Sequence, residues 1–160
     1  MRLHILGVGQ ARGTPEGALV EDYLGRARAS GKRLGFTAVA LEEVAVSKLR
    51  EARARITEEG ERLAARIPPG AHVILLDARG KGMTSEAFAE MLAAMRDAGA
   101  RDLAFLIGGP DGLDPGQTVK PSRSLAFGTQ TWPHLLVRGM LAEQIYRAVT
   151  ILSGHPYHRA

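Results

Sequence analysis

Residues 102–113 read "DLAFLIGGPDGL". After Asp102, every position through Ile107 is apolar, with neither the alternation of a half-exposed strand nor the three-to-four spacing of a surface helix. A short run of this kind, ended by glycine and proline, reads as a strand covered on both faces, as in a parallel sheet. "AHVILLDA" (71–78) and "RLHILGVG" (2–9) repeat the pattern. Between such runs lie amphipathic stretches. Residues 15–31 read as a helix with Pro15 in the first turn, acids early, bases late and Gly31 as the stop. "LGFTAVALEEV" (34–44) is strand-like, with Phe36, Ala38 and Ala40 on one face and Thr37, Val39 and Leu41 on the other. Residues 47–67 read as a helix with Ser47 as N-cap and Leu49, Ile56, Leu63 and Ile67 at helical spacing. Residues 84–99 form a capped helix burying Phe88, Met91, Leu92 and Met95, stopped by Gly99. "SLAFG" (124–128) is a fifth, shorter strand, and a last helix runs over 133–152. Strands alternating with helices predict an α/β fold, a parallel sheet with helices on both faces.

The 160 residues are expected to form one domain, 1–160, without repeats or linkers. No apolar run approaches the roughly 20 residues that span a bilayer, and "MRLHILGVG" is too short an apolar stretch for a signal peptide. A cytoplasmic protein with no membrane partner is expected. With no cysteine, disulfides, thiolate metal sites and thiol catalysis are excluded. The net charge of +4 permits a nucleic-acid partner without requiring one. One Trp, three Tyr and four Phe are too few for a broad stacking platform along a single strand. There is no Walker loop and no His-Glu-x-x-His, and no metal is expected.

In a parallel sheet the loops at the carboxyl ends of the strands hold the ligand. Four such loops stand out: 7–13, 77–83, 107–113 and 128–134. The first, Gly7-Val8-Gly9-Gln10-Ala11-Arg12-Gly13, places its third glycine one position late for a dinucleotide fingerprint, and Glu42 and Glu43 come too far along to serve as the acidic partner. It reads as a strand-to-helix turn. Gly108, Gly109 and Gly112 allow tight turning and let a ligand approach main-chain groups. Gly128, Thr129 and Thr131 before Trp132-Pro133 repeat that logic. Together these two loops suit a pocket built largely of backbone, which would read the edge of a planar heterocycle such as adenine while Leu76, Phe127 and Trp132 cover its faces.

Three elements occur in order: "LIGGPDGL" (106–113), then "TWPHLLVR" (131–138) and "HPYHR" (155–159). With "RLHILGVG" and "EGERLAARIPPGAHVILLDARGK" (59–81), they make the chain resemble the ribosomal RNA large subunit methyltransferase H family along its whole length. These are small SPOUT-class enzymes that methylate N3 of a pseudouridine in large-subunit rRNA. The resemblance implies a five-stranded, mostly parallel sheet whose C-terminal portion forms a trefoil knot, with S-adenosylmethionine bent inside the knotted loops. Carried onto this chain, the cofactor contacts are Leu76, Gly108, Gly109, Phe127, Gly128, Thr129, Gln130, Thr131 and Trp132. It also implies a homodimer, with Gly139 of the last helix at the contact. The tail, His155, Tyr157, His158 and Arg159, then binds substrate in a composite site: Arg159 on a phosphate, Tyr157 stacking on base or ribose. Loss of the N3 proton falls to His158 as base or to a shift induced by Arg138 or Arg159. The expected substrate is rRNA within the assembled ribosome.

Other residues carry two readings each. Asp77 hydrogen-bonds a ribose or caps the turn into "ARGKG"; Arg79 and Lys81 meet RNA phosphates or water. Glu143 pairs within its helix with Arg138 or Arg147. His134, near a helix N-terminus where its charged form is disfavoured, is structural or catalytic. His4 fills core or edge. Arg50, Arg53, Arg55, Arg62 and Arg66 form a solvated face or an RNA footprint.

Overall fold

A computed structural model describes residues 1–114 and 120–158. The elements follow one another as β1 (Arg2–Val8), α1 (Pro15–Gly31), a 3-10 turn (Lys32–Leu34), β2 (Ala38–Val44), α2 (Ala52–Ala64), β3 (His72–Lys81), α3 (Ser85–Asp97), β4 (Asp102–Ile107), β5 (Arg123–Leu125) and α4 (His134–Ser153). The five strands form one sheet in the order β2-β1-β4-β3-β5. Every neighbouring pair is parallel, so the carboxyl ends of all strands share one edge.

Alternation along the strands decides which helix lies over which face. Leu3 and Ile5 of β1, Ile74 of β3, and Leu103, Phe105 and Ile107 of β4 point one way, into a core shared with Val20 and Leu24 of α1, Phe88 and Leu92 of α3, and Ile145 and Val149 of α4. Leu6, Val8, Leu75, Ala104 and Leu106 point the other way, where Leu63 of α2 covers them. As expected from its unbroken apolar run, β4 is buried at all six positions. Among the described residues no helix is long and apolar enough to cross a membrane, and no group of three or more metal-ligating side chains occurs.

Several local readings hold. Pro15 stands in the first turn of α1; the cap of that helix, Thr14 accepting from the Gly17 amide at 3.1 Å, is not singled out in the sequence. Thr84 caps α3 through the Ala87 amide at 3.2 Å, and Gly99 takes φ +84° just past its end.

Four differ. Gly31 is the last residue of α1, as read, but it does not turn the chain: its backbone stays right-handed, φ −73° and ψ −25°, and the 3-10 turn follows directly. The turn comes at Gly35, φ +83°. Ser47 caps nothing. It is buried five residues before α2 starts, its amide donating to Glu59 Oε1 at 2.8 Å and its hydroxyl to Glu58. Leu49 consequently lies outside the helix and is exposed. The fifth strand is three residues long rather than five. Finally, the close neighbour of Gly139 is Leu19 of α1 in the same chain, 3.0 Å from where a Cβ would stand, so its smallness is explained without a second subunit.

At the amino ends of the strands, Asp102 accepts from both guanidinium nitrogens of Arg2 at 2.7 Å and meets His4 Nε2 at 2.8 Å. The Arg2 bond, then His4, holds the Asp102 carboxyl below the usual range against the cost of burial. This cluster ties β1 to β4 at the edge remote from the loops.

Candidate active site

At the carboxyl edge three segments enclose a cavity of about 670 Å³, within the range of small-molecule and cofactor sites. The first is Leu76–Arg79 of β3. Between Leu76 and Lys81 the pairing with β5 is interrupted, so Asp77, Ala78 and Arg79 arch outward over the cavity. The chain regains β5 at Gly80, where a Cβ would lie 2.7 Å from the Leu125 carbonyl carbon. Asp77 accepts from the Arg79 amide at 2.8 Å and from its guanidinium at 2.7 and 3.0 Å. The turn-capping reading of Asp77 is therefore the one observed, and the Arg79 guanidinium holds its carboxyl below the usual range.

The second segment is the glycine loop after β4. The Gly112 amide donates to Gly109 O at 2.9 Å, closing a hairpin so tight that a Cβ on Gly108 would stand 2.6 Å from the Gly112 carbonyl carbon. Behind it, Gly109 faces Glu59 of α2: a Cβ would lie 2.7 Å from Oε2, an oxygen with no hydrogen-bond partner. Arg55 of α2 grips the same loop through Asp111, at 2.7 and 3.0 Å. Neither Arg55 nor Glu59 is marked out as a loop support in the sequence, because α2 lies some 50 residues upstream.

The third segment, residues 125–132, runs from β5 toward α4. Trp132 Nε1 donates to Phe127 O at 3.0 Å and folds the segment back on itself. Of the nine residues assigned to a cofactor, Leu76, Gly108, Gly109, Phe127, Gly128, Gln130, Thr131 and Trp132 line the cavity; Thr129 lies exposed in the turn beyond Gly128 and does not. His134 and Val137 of α4 complete the wall. Burial, then the nearby Arg138 charge, lowers the His134 pKa, so the disfavoured protonation expected at this helix end has burial as its main cause.

Arg138 does not line the cavity. Its side chain is fully buried, donating to Val8 O, to Gly9 O at 2.8 Å and to Glu43 Oε1 at 2.5 Å. The first glycine loop is shaped around it: a Cβ on Gly7 would stand 2.6 Å from Arg138 Nε. Its pairing with Glu43, rather than Glu143, also decides the ion-pair question in α4, where Glu143 binds Arg147 at 2.5 and 2.9 Å.

The tail folds onto its own chain. Tyr157 OH donates to Glu143 Oε1 at 3.1 Å, its ring lies 4.7 Å from that of Tyr146, and the Arg147 guanidinium covers it at 5.0 Å. Burial, then hydrogen bonding with Tyr23 and the Glu143 charge, raises its pKa. His158 Nε2 approaches Glu86 Oε1 of α3 at 2.7 Å. None of His155, Tyr157 and His158 lines the cavity. Glu143 itself is nine residues, about 14 Å of helix, beyond His134. Arg159 lies outside the described residues.

Residues 1–158 match the family model described as predicted SPOUT methyltransferase. The protein called ribosomal RNA large subunit methyltransferase H in Hyphomonas neptunium is 51% identical over 160 residues, covering 100% of both chains. Its namesake in Rhodopseudomonas palustris is 49% identical over 160 residues, again with 100% of each chain covered. Among solved structures, a probable methylase family protein from Haemophilus influenzae aligns with a TM-score of 0.48 at 13% identity, covering 99% of this chain and 70% of its own.

Proposed function

The chain belongs to the SPOUT methyltransferase family, among the ribosomal RNA large subunit methyltransferases H, and on that premise we propose that it transfers a methyl group from S-adenosylmethionine to N3 of a pseudouridine in large-subunit rRNA. The observation that carries the reading is the cavity: its walls are the segments in which the family resemblance is densest, and their chemistry suits the cofactor. Leu76, Phe127 and Trp132 present apolar surface for a flat ring, while Gly108, Gly109 and Gly128 line the same cavity with main-chain groups that can serve as partners for a heterocycle edge. A trefoil knot in the C-terminal portion belongs to the same reading.

When bound, S-adenosylmethionine supplies a sulfonium methyl as electrophile. The protein's part is to hold donor and acceptor in line, since near-attack geometry does most of the work in such a displacement. Burial keeps His134 in its neutral form on the cavity wall, so it serves as hydrogen-bond acceptor beside the acceptor base. The imide proton, phenol-like with a pKa of roughly 10, must leave for N3 to attack. Arg138, enclosed between Glu43 and two carbonyls, influences that step through its field and through the placement of His134, and it touches no substrate. The tail supplies the remaining groups. Held on Glu143 and Glu86 away from its own cavity, it serves the cavity of a second subunit in a homodimer, Tyr157 stacking on the nucleotide, Arg159 on a phosphate, His158 available as base. The net charge of +4 is modest for a protein that would bind naked RNA through charge alone. The assembled ribosome in the cytoplasm, already shaped, is the substrate of this reading.

One comparison tests this: the full chain against a chain ending at Gly154, each assayed for S-adenosylmethionine binding by calorimetry and for methyl transfer to ribosomes, with nucleoside mapping of the product. The shortened chain should keep cofactor affinity within a few-fold and lose transfer. Normal transfer by it removes the tail from the mechanism, and absence of cofactor binding by the full chain removes the enzyme reading.

A further inference from the structure

The arginines of residues 47–67 do not behave alike. Arg55 is paired with Asp111, Arg62 with Glu58 at 2.8 Å and Arg66 with Glu42 at 3.5 Å. Lys48, Arg50 and Arg53 are exposed and have no carboxylate partner among the described residues. They sit on the segment between β2 and the first turn of α2, which has no regular secondary structure but is fastened at many points. Arg62 donates to Ala45 O at 2.8 Å, and Glu59 and Glu58 hold the amide and hydroxyl of Ser47. Arg55 donates to Leu49 O at 3.0 Å and to Arg50 O at 2.6 Å. Thus α2 spends two cations and two anions on fixing the backbone of this segment while the segment's own cations remain free.

Arg55 then does a second thing. Through Asp111 it joins the segment to the glycine loop on the cavity wall, so the free cations stand at a fixed position relative to the cavity. Leu49 is exposed between Lys48 and Arg50, at 46%, and Val46 is exposed just before them, at 41%. Fixed cations without counter-charges, interleaved with apolar side chains, suit a phosphodiester backbone whose sugars and bases lie between the charges. Glu51 is the one acid among residues 45–53, against three bases.

We infer that residues 45–53 are an RNA-docking platform beside the cavity, gripping the phosphate backbone with Lys48, Arg50 and Arg53. The inference rests on the rRNA reading above and identifies the face on which that RNA lies.

The test compares three full-length proteins: the unaltered chain, K48A/R50A/R53A, and the charge-matched K32A/R33A/R101A, which removes three exposed cations at the opposite edge of the sheet. Binding to assembled ribosomes is measured at 50–200 mM monovalent salt, cofactor affinity by calorimetry, and oligomeric state by light scattering. Each phosphate contact contributes roughly 0.9 to the slope of log affinity against log salt. The platform variant should therefore bind at least about 10-fold more weakly with a slope reduced by about 2–3, its cofactor affinity changing less than about two-fold; the control should stay within about three-fold of the unaltered chain. An unchanged slope in the platform variant, an equal loss in the control, or a change of oligomeric state confined to the platform variant overturns the inference. So does an unaltered chain that binds neither assembled ribosomes nor large subunits. Binding that behaves as expected without methyl transfer overturns only the reading on which the inference rests.

Discussion

The loops after β1 and after β4 look alike in sequence: each leaves a buried strand through closely spaced glycines, and each lies at the carboxyl edge of the same sheet. Their uses differ. In the first, the space released by missing Cβ atoms is filled by the protein itself, the Arg138 guanidinium occupying what would be the Gly7 methyl position. In the second, glycines bring the chain back on itself within a few residues and leave one side facing an open cavity. A glycine loop at a sheet edge thus signals that something approaches the backbone closely. Whether that is a ligand or a side chain from far along the chain depends on what the fold delivers, and Arg138 lies 129 residues from Gly9.

The contrast is most easily broken at its first half. Arg138→Ala leaves Glu43 and two carbonyls without their cation; loss of one partner from a buried pair costs about 3–5 kcal/mol, readable by denaturant unfolding. Gly7→Ala, which drives a methyl into a pinned guanidinium, should cost at least about 2 kcal/mol by overpacking. Combined, the two should cost little more than Arg138→Ala alone, because the clash has gone. Additive costs would mean that Gly7 is needed for some other reason. In the second loop the effect should appear in binding. Gly108→Ala puts its methyl against the Gly112 backbone and prevents the hairpin from closing. S-adenosylmethionine affinity should fall at least about 10-fold by calorimetry, with a stability loss of no more than about 1–2 kcal/mol. A variant that binds normally would show that the hairpin is not part of the cofactor site.

What was legible in the sequence follows the same division. Parallel strands, their covered faces, the cap at Thr84 and the stop at Gly99 are written in contiguous residues, and so is the cavity wall, made of short segments adjoining strands. Most errors concern side chains whose partners come from distant elements. Ser47 carries the residue type of an N-cap, yet the Glu58 and Glu59 carboxylates hold it outside the helix. Gly31 looks like the turn out of α1 because nothing beside it announces that the right-handed path continues through 32–34 to the left-handed Gly35. Arg138 looks available for chemistry because nothing near it in the chain announces Glu43 or the β1 carbonyls. Such pairings depend on the neighbouring of β2 and β1, which sets Glu43 beside Gly7, both against the Arg138 guanidinium.

His134 is where the two loops meet: it lines the cavity, and a Cβ on Gly9 would lie 3.2 Å from its Nε2. Burial and the Arg138 charge both oppose its protonation, so its folded-state pKa lies below the value of about 6.5 that it has when unfolded. Below that pH the unfolded chain binds more protons than the folded one, and stability falls as pH drops. Relative to His134→Gln, which cannot titrate, the unaltered chain should therefore lose stability between about pH 7 and pH 5. The loss should be the smallest of the effects considered, because His134 is only partly buried. Unfolding of both proteins across that range measures it, and an imidazole NMR titration reads the pKa directly. A pKa at or above the free value would mean that His134 stands in water, outside the packing that joins the arginine-filled loop to the cavity. The two glycine loops would then be neighbours on an edge without being coupled. A depressed pKa that falls further in Glu43→Gln, where the guanidinium stays on the Val8 and Gly9 carbonyls but loses its counter-charge, would tie the cavity's neutral imidazole to the first loop's occupant.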